Sequence, residues 1–386
     1  MPLAREVFAT FEKLDVSAHP WVLIGNIINY ARDKKHIPIT EVFKKNYDIE
    51  AFHSEVEADL IEAIKQRGGE HGNTPEIIQI HAVYTQLICF FSCVLNAIQN
   101  GPTSQAHRNF VSQINSEDCV ITFNWDTLLD RALNETGKWN AESGYGFIPG
   151  EVFRDGWEAT VAKPKFPGGP KLIKLHGSTN WITSYIGIDS DIHAPYLLQE
   201  APNDIVRVFE FSTKPYACYA GRYMPGYEPF SYGYYPPNLT NDRGKSAPPE
   251  HVFFSIRPKH PYMPEGTAPD DGVTTLPLII PPVRIKNYGL FGGLFKSLWQ
   301  QASQAISTSD TIFVIGYSFP ETDTRSLDLF KQAFVLRRSF PRVVIINPSP
   351  ERNIDVFKRT LGIPASHLEI RKNYFDGNIK KLCGTQ

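Results

Sequence analysis

Four short apolar runs in this chain end in side chains that could handle a ligand. In chain order they are Val120-Ile-Thr122-Phe-Asn124-Trp-Asp126, Leu172-Ile-Lys-Leu175-His176-Gly177-Ser178, Ile312-Phe-Val-Ile-Gly316-Tyr317-Ser318 and Val343-Val-Ile-Ile-Asn347-Pro348. Asn and Asp can orient a sugar hydroxyl or a water. His is the side chain whose ordinary pKa suits proton transfer near neutrality. A Gly-x-Ser turn can offer backbone N–H groups to a ribose or a phosphate. A parallel sheet gathers such residues at the carboxyl ends of its strands, which is where α/β proteins place their ligands.

Each piece also has a purely local reading. Asn124 and Asp126 stand at i and i+2, so on an extended strand both reach one ligand. Equally, Asp126 or Thr127 caps the helix that follows, and Thr127-x-x-Asp130 has the form of a capping box. Beside His176, Gly177 allows another backbone or a ligand to approach closely. Gly316-Tyr317-Ser318 is either a ligand turn or an ordinary turn into a helix capped by Thr322 or Asp323. A nucleophile elbow needs Gly-x-Ser-x-Gly, and position 320 is Pro, which disfavours a serine hydrolase. Asn347-Pro348 can read an adenine or ribose edge, and it is also a turn signal. The co-occurrence of four such strand ends favours one shared site.

The elements that position them follow from hydrophobic spacing. Leu3, Val7, Phe8, Phe11 and Leu14 predict an opening helix, and Phe52, Val56, Leu60, Ile61 and Ile64 a second, ended by Gly68-Gly69. Asn73-Thr74-Pro75 starts a long apolar helix. Its window Ile77–Ile98 carries His81, Gln86, Ser92 and Asn96, and reads as a buried core helix rather than a membrane span. Residues 20–115 thus form a helical subregion. Beyond it, strands Val120–Phe123, Leu172–Leu175, Leu278–Ile280 (closed by Pro281-Pro282), Ile312–Ile315 and Val343–Ile346 alternate with helices. Those helices begin at Leu128 and span Phe291–Ile306, Leu327–Leu336 and Ile354–Leu361. The pattern predicts an α/β fold with an open, mostly parallel sheet and helices on both faces. Between 183 and 275 the periodicity breaks down, and Tyr216, Tyr219, Tyr223, Tyr227, Tyr232, Tyr234 and Tyr235 crowd among Pro and Gly. That insert is a lid, an assembly surface or irregular surface structure.

The chain is long enough, at 386 residues, for one large domain or two, and it is read as a single domain. A formal net charge of −2 without a block of like charge gives no basis for nucleic-acid or anionic-membrane binding. The five cysteines, Cys89, Cys93, Cys119, Cys218 and Cys383, form no C-x-x-C pair, so no structural zinc site is expected. Their odd, scattered placement and a charged, amphipathic N-terminus fit a cytoplasmic protein. Cys119 reads as a buried thiol.

Taken as an ordered set, Thr122-Phe-Asn124-Trp-Asp126, Leu175-His176-Gly177-Ser178, Gly316-Tyr317-Ser318 with Pro320-Glu321-Thr322-Asp323, and Asn347-Pro348 resemble the motifs of the sirtuin-fold superfamily. The closest likeness is to the bacterial sirtuin-like, NAD-hydrolysing antiphage defence proteins. The Gly-Tyr-Ser-x-Pro-Glu-Thr-Asp string, and Pro281-Pro282 with nearby Lys286, are more typical of that branch than of deacylases. The resemblance covers most of the chain apart from the Tyr-rich insert, and implies a Rossmann-like sirtuin-fold sheet. It further implies NAD+ as substrate, no metal, and hydrolysis of the nicotinamide–ribose bond. By resemblance His176 is the base, Asn124 orients ribose or water, and Asp126 holds the ribose region or positions Asn124. Thr122, Gly177, Ser178, Gly316, Tyr317, Ser318, Asp323 and Asn347 would line the nucleotide. Control by a homo-oligomer or by a partner such as a HerA-type ATPase is implied as well.

Two features depart from the family pattern. The zinc ribbon of the deacylases has no counterpart, which argues against deacylation. Family members carry a Gly-Ala-Gly-x-Ser phosphate loop, whereas Met1–Phe8 resembles the segment just after it and Gly25-Asn26 supplies only one glycine. Either the start of the chain is truncated or misassigned before such a loop, or the loop has been lost, which would make the chain a weak or inactive nucleotide-binding or scaffold subunit of a defence complex; an ADP-ribosyltransferase is a separate, weaker alternative.

Overall fold

The computed structural model describes residues 4–11, 20–43, 48–66, 74–99, 103–153, 159–161, 169–184, 206–209, 239–240, 255–256, 273–281, 292–320 and 323–376. The tyrosines of the 183–275 insert, Glu321, Thr322, Pro282 and Lys286 lie outside these residues, as do Leu3, Leu14, Gly68 and Gly69.

The first part is helical. It comprises α1 (Val7–Phe11), α2 (Pro20–Asp33), α3 (Ile39–Val42), α4 (Ile49–Gln66), α5 (Pro75–Ile98) and α6 (Gln105–Val111). The start of α5 is set as its sequence demands: Thr74 Oγ1 accepts the Ile77 N–H at 3.2 Å, and Pro75 sits in the first turn, where no N–H is needed. Val7 and Phe8 of α1, Ile27 of α2, Val56 of α4 and Leu87 of α5 close into one apolar cluster. Phe8 packs against Phe90 at 5.1 Å and Phe52 at 5.9 Å. Three polar residues of α5, His81, Gln86 and Ser92, are buried with it. Gln86 accepts the Ile27 N–H at 3.0 Å, a buried polar side chain satisfied across two helices. Among the described residues no helix is long and apolar enough to cross a membrane.

The second part is α/β. Strand β1 (Cys119–Thr122) runs into α7 (Leu128–Glu135) and pairs in parallel with β4 (Lys171–Lys174), Thr122 opposite Lys174. Strands β10 (Thr311–Ile315), β11 (Arg342–Ile346) and β12 (Leu368–Arg371) form a three-stranded parallel sheet in that order. Helix α8 (Gly292–Thr308) precedes β10, α9 (Thr324–Val335) joins β10 to β11, and α10 (Glu351–Asp355), continuing into a π-turn over Val356–Thr360, lies between β11 and β12. Val343 and Ile345 point into the main core, and Val344 and Ile346 face Phe110 and Phe375 on the other side. A parallel strand buried on both faces needs such an unbroken apolar run.

A third, seven-stranded sheet was not foreseen from the alternation. Its order is β3 (Ala159–Val161), β2 (Glu151–Phe153), β6 (Arg207–Phe209), β5 (Gly177–Ser184), β9 (Val273–Ile279), β8 (Ser255–Ile256) and β7 (Leu239–Thr240). Only β2 and β6 pair in parallel there. The expected strand Leu278–Ile280 belongs to this sheet, antiparallel to β5. The reason lies at Gly177. With φ +79 it turns the chain out of β4 and into β5, and a Cβ there would stand 2.1 Å from the Leu278 carbonyl oxygen. The close approach that Gly177 permits is therefore that of a neighbouring strand.

Candidate functional site

The carboxyl ends of β1, β4 and β10 converge. The Leu175 N–H donates to the Thr122 carbonyl at 3.0 Å, which aligns the first two ends. Phe123 joins the third, its ring stacked on Tyr317 at 4.3 Å and 17°. His176 sits among them, 4 % exposed, with Phe123 at 5.4 Å and Trp125 at 5.6 Å between centroids. Its Nε2 faces Asp323 Oδ2 at 3.5 Å.

The residues expected to touch a ligand divide into two groups. Asn124, Gly316 and Ser318 are exposed at the strand ends, with Thr122 and Tyr317 half-buried beside them. Gly316 has φ +67 and nothing within 4 Å of where a Cβ would stand, so the backbone there faces open space. Ser178, Asn347 and Asp126 are buried and engaged locally. Ser178 Oγ donates to Asn180 Oδ1 at 2.5 Å. Asn347 Oδ1 accepts the Ser349 N–H at 2.9 Å, the turn reading of Asn-Pro, and its Nδ2 reaches Asn353 Oδ1 at 3.3 Å. Asn353 in turn donates to the Tyr317 carbonyl at 2.6 Å, so the Asn347 end is tied to the Tyr317 end through a side chain of α10.

Strand alternation does not govern Asn124 and Asp126, because β1 stops at Thr122. The Asn124 N–H folds back to Thr122 Oγ1 at 3.1 Å, leaving its side chain exposed. Asp126 is 7 % exposed, and its Oδ1 accepts the Leu128 N–H at 3.1 Å. Asp126 thus serves the start of α7, as the local reading proposed. The capping box does not form: Thr127 makes no side-chain cap bond, and its N–H is taken by Gln99 Oε1 at 2.7 Å.

Asp130, the other half of that expected box, is held elsewhere. Lys174 Nζ donates to Asp130 Oδ2 at 2.9 Å and to the Asp126 carbonyl. Tyr145 donates to Asp130 Oδ1 at 2.5 Å, and Asn180 Nδ2 donates to the Tyr145 hydroxyl at 3.0 Å. Burial pushes the Tyr145 phenol well above its ordinary pKa, so it stays a donor. The chain Lys174–Asp130–Tyr145–Asn180–Ser178 is buried throughout and pins the strand ends on either side of His176. Sequence reasoning passed over it. Its one signal was Lys174 inside Leu-Ile-Lys-Leu, since a lysine among buried neighbours requires a partner.

The helical part reaches this site through Trp125. Its indole N–H donates to the Ile280 carbonyl at 3.0 Å, and its ring meets Phe91 of α5 at 5.0 Å. Gln99, at the end of α5, also spans to Thr179 Oγ1 at 3.4 Å. Gly25-Asn26, which the sequence already marked as a poor substitute for a phosphate loop, lies inside α2. Cys119 is partly buried, and burial pushes its thiol up to about 11, so it is a poor nucleophile at neutral pH. Among the described residues no three His, Cys, Asp or Glu side chains are grouped to hold a metal. A scan against protein-family models and a search of curated proteins each give no match to this chain.

Proposed function

We propose that the chain is an NAD+ glycohydrolase of the sirtuin-like defence type, with a Rossmann-like nucleotide site at the ends of β1, β4 and β10. The observation that carries this reading is the convergence of His176, Phe123, Tyr317 and Asp323 from three strand ends. It is joined by exposed Asn124, Gly316 and Ser318 around them. In the proposed reaction the bond between ribose C1′ and the nicotinamide nitrogen breaks. Its electron pair goes to the cationic ring, which leaves neutral. Water attacks C1′ and loses its proton to His176, giving nicotinamide, ADP-ribose and a proton. Asn124 orients the ribose or the water, and Asp126 acts through the loop it caps rather than by contact. The protein's contribution is positioning and stabilisation of an oxocarbenium-like sugar.

A second reading, a non-catalytic nucleotide-binding or scaffold subunit, is favoured by one observation. Gly25-Asn26 is helical, so it offers no glycine turn to the phosphates. Incubation of the full-length protein with NAD+, alone and with a HerA-type ATPase or other genomic neighbour, separates the two. Nicotinamide release that is lost in His176→Ala and Asn124→Ala supports the hydrolase. Calorimetric binding of NAD+ or ADP-ribose with no release under any partner supports the subunit. Label from NAD+ appearing on protein or nucleic acid would instead indicate ADP-ribosyl transfer. A homo-oligomer gating the activity is expected on the same reading, and sedimentation with and without NAD+ tests it.

A further inference from the structure

We propose that Asp323 is the positioning carboxylate of His176, orienting the imidazole through Nε2 and keeping the ring proton there; the inference rests on the reading of His176 as the glycohydrolase base. Asp323 stands at the first residue before α9, where an aspartate ordinarily turns its side chain to the helix N–H groups. It makes no such bond. The Ser326 hydroxyl instead closes on the Asp323 carbonyl at 2.7 Å, which anchors the backbone without using the carboxylate. Oδ2 faces two groups: the Tyr317 hydroxyl, which donates at 2.8 Å, and His176 Nε2 at 3.5 Å. Tyr317 is itself clamped by its stack on Phe123. A phenol on a fixed ring therefore holds the carboxylate toward the imidazole.

Burial makes the arrangement consequential. The side chains of His176 and Asp323 are 4 % and 2 % exposed, so a carboxylate charge there needs compensation from its neighbours. Its second oxygen, Oδ1, is buried and has no hydrogen-bond partner among the described residues. The separation of 3.5 Å is an ion-pair distance, longer than a formed N–H···O bond, and such contacts tighten when a ligand closes the site. A carboxylate on one ring nitrogen selects the tautomer and stabilises the imidazolium formed when the other nitrogen accepts a proton. Several elements contribute groups that face the ring. Asp323 and Tyr317 come from the β10–α9 turn, and the rings of Phe123 and Trp125 from the β1–α7 loop carry no charge. Asp126 of that loop is turned to the Leu128 N–H, and Lys174 of β4 is taken by Asp130.

Nitrogen NMR of the full-length protein with labelled histidine tests this, the His176 resonances being assigned by their loss in His176→Gln. The expected result is the Nε2–H tautomer in the wild type, together with a His176 titration midpoint that falls by about 1–3 pH units in folded Asp323→Asn. The acid limb of the pH profile for nicotinamide release is expected to move down by the same amount. An Nδ1–H tautomer in the wild type, which needs no variant to observe, overturns the proposal; so does an unmoved midpoint in folded Asp323→Asn. If the tautomer and the midpoint behave as expected while the wild type releases no nicotinamide, the Asp323–His176 pairing stands and the glycohydrolase reading falls. If nicotinamide is released and the midpoint is unmoved, the pairing alone falls.

Discussion

Replacing Lys174 by methionine keeps the length of the stem and deletes the ammonium. The side chains of Lys174 and Asp130 are 0 % and 4 % exposed, so solvent screens little of their interaction. Breaking such a pair by removing one partner costs roughly 3–5 kcal/mol, because the remaining charge stays buried. Asp130 keeps the Tyr145 hydroxyl, which favours the lower part of that range, while the Asp126 carbonyl loses its donor, which favours the upper. The expected loss is therefore about 3–5 kcal/mol, read from urea unfolding followed by tryptophan fluorescence. Asp130→Asn removes the other charge. If the two charges stabilise each other, Lys174→Met combined with Asp130→Asn falls short of the sum of the single losses by about 2 kcal/mol or more. A Lys174→Met loss below ~1 kcal/mol, additive with Asp130→Asn, would refute the claim that this buried pair braces the strand ends.

Three further outcomes are expected. His53 is fully buried against Tyr84 at 4.6 Å, and burial holds its pKa at about 3, below the ordinary value of 6.5. A histidine depressed on folding takes up protons mainly in the unfolded chain, so stability is lost as pH falls below 6.5 toward 3. Between pH 7 and 5 that loss is about 2 kcal/mol, and the difference between wild type and His53→Phe in urea midpoint at those two pH values reads it; an equal pH response of the two proteins would count against it. Asp126→Ala is expected to lose about 1 kcal/mol for its bond to the Leu128 N–H, while Thr127→Val, whose hydroxyl makes no cap bond, stays within about 0.5 kcal/mol of wild type. The reverse order in thermal melts would restore the capping box. Gly177→Ala combines a left-handed backbone penalty of about 1–2 kcal/mol with a collision against Leu278, so a total loss above ~3 kcal/mol is expected; a thermal shift under 2 °C would show that β9 yields freely.

Much of this fold was written in local spacing. The strands Cys119–Thr122, Thr311–Ile315 and Arg342–Ile346 are apolar runs bounded by polar residues, and the Thr74-Pro75 start of α5 is a cap with a chemical reason. Helix α2, which buries Ile24, Ile27, Ile28 and Ala31, was not read as a separate element, because Pro20 and Gly25 interrupt its spacing. What spacing could not convey was pairing between distant segments. Gly177 carries no mark telling a ligand turn from a strand crossing, and the difference is made by Leu278, far along the chain. The same limit applies to Asp130. Its distance from Thr127 matches a capping box, yet the buried Lys174 beneath it and the Tyr145 hydroxyl claim its carboxylate first. Asn124, His176 and Gly316 were singled out by residue type at strand ends, and the structure sets them at the ends of β1, β4 and β10. The partner of His176 was not, because Asp323 reads from sequence as a helix cap.

Mixing full-length protein with NAD+, alone and with its genomic neighbours, and following nicotinamide by chromatography decides whether the chain is a glycohydrolase. Release of nicotinamide and ADP-ribose in equal amounts is expected, abolished in His176→Ala at equal folded fraction. No release under any partner, or undiminished release by folded His176→Ala, would contradict that reading.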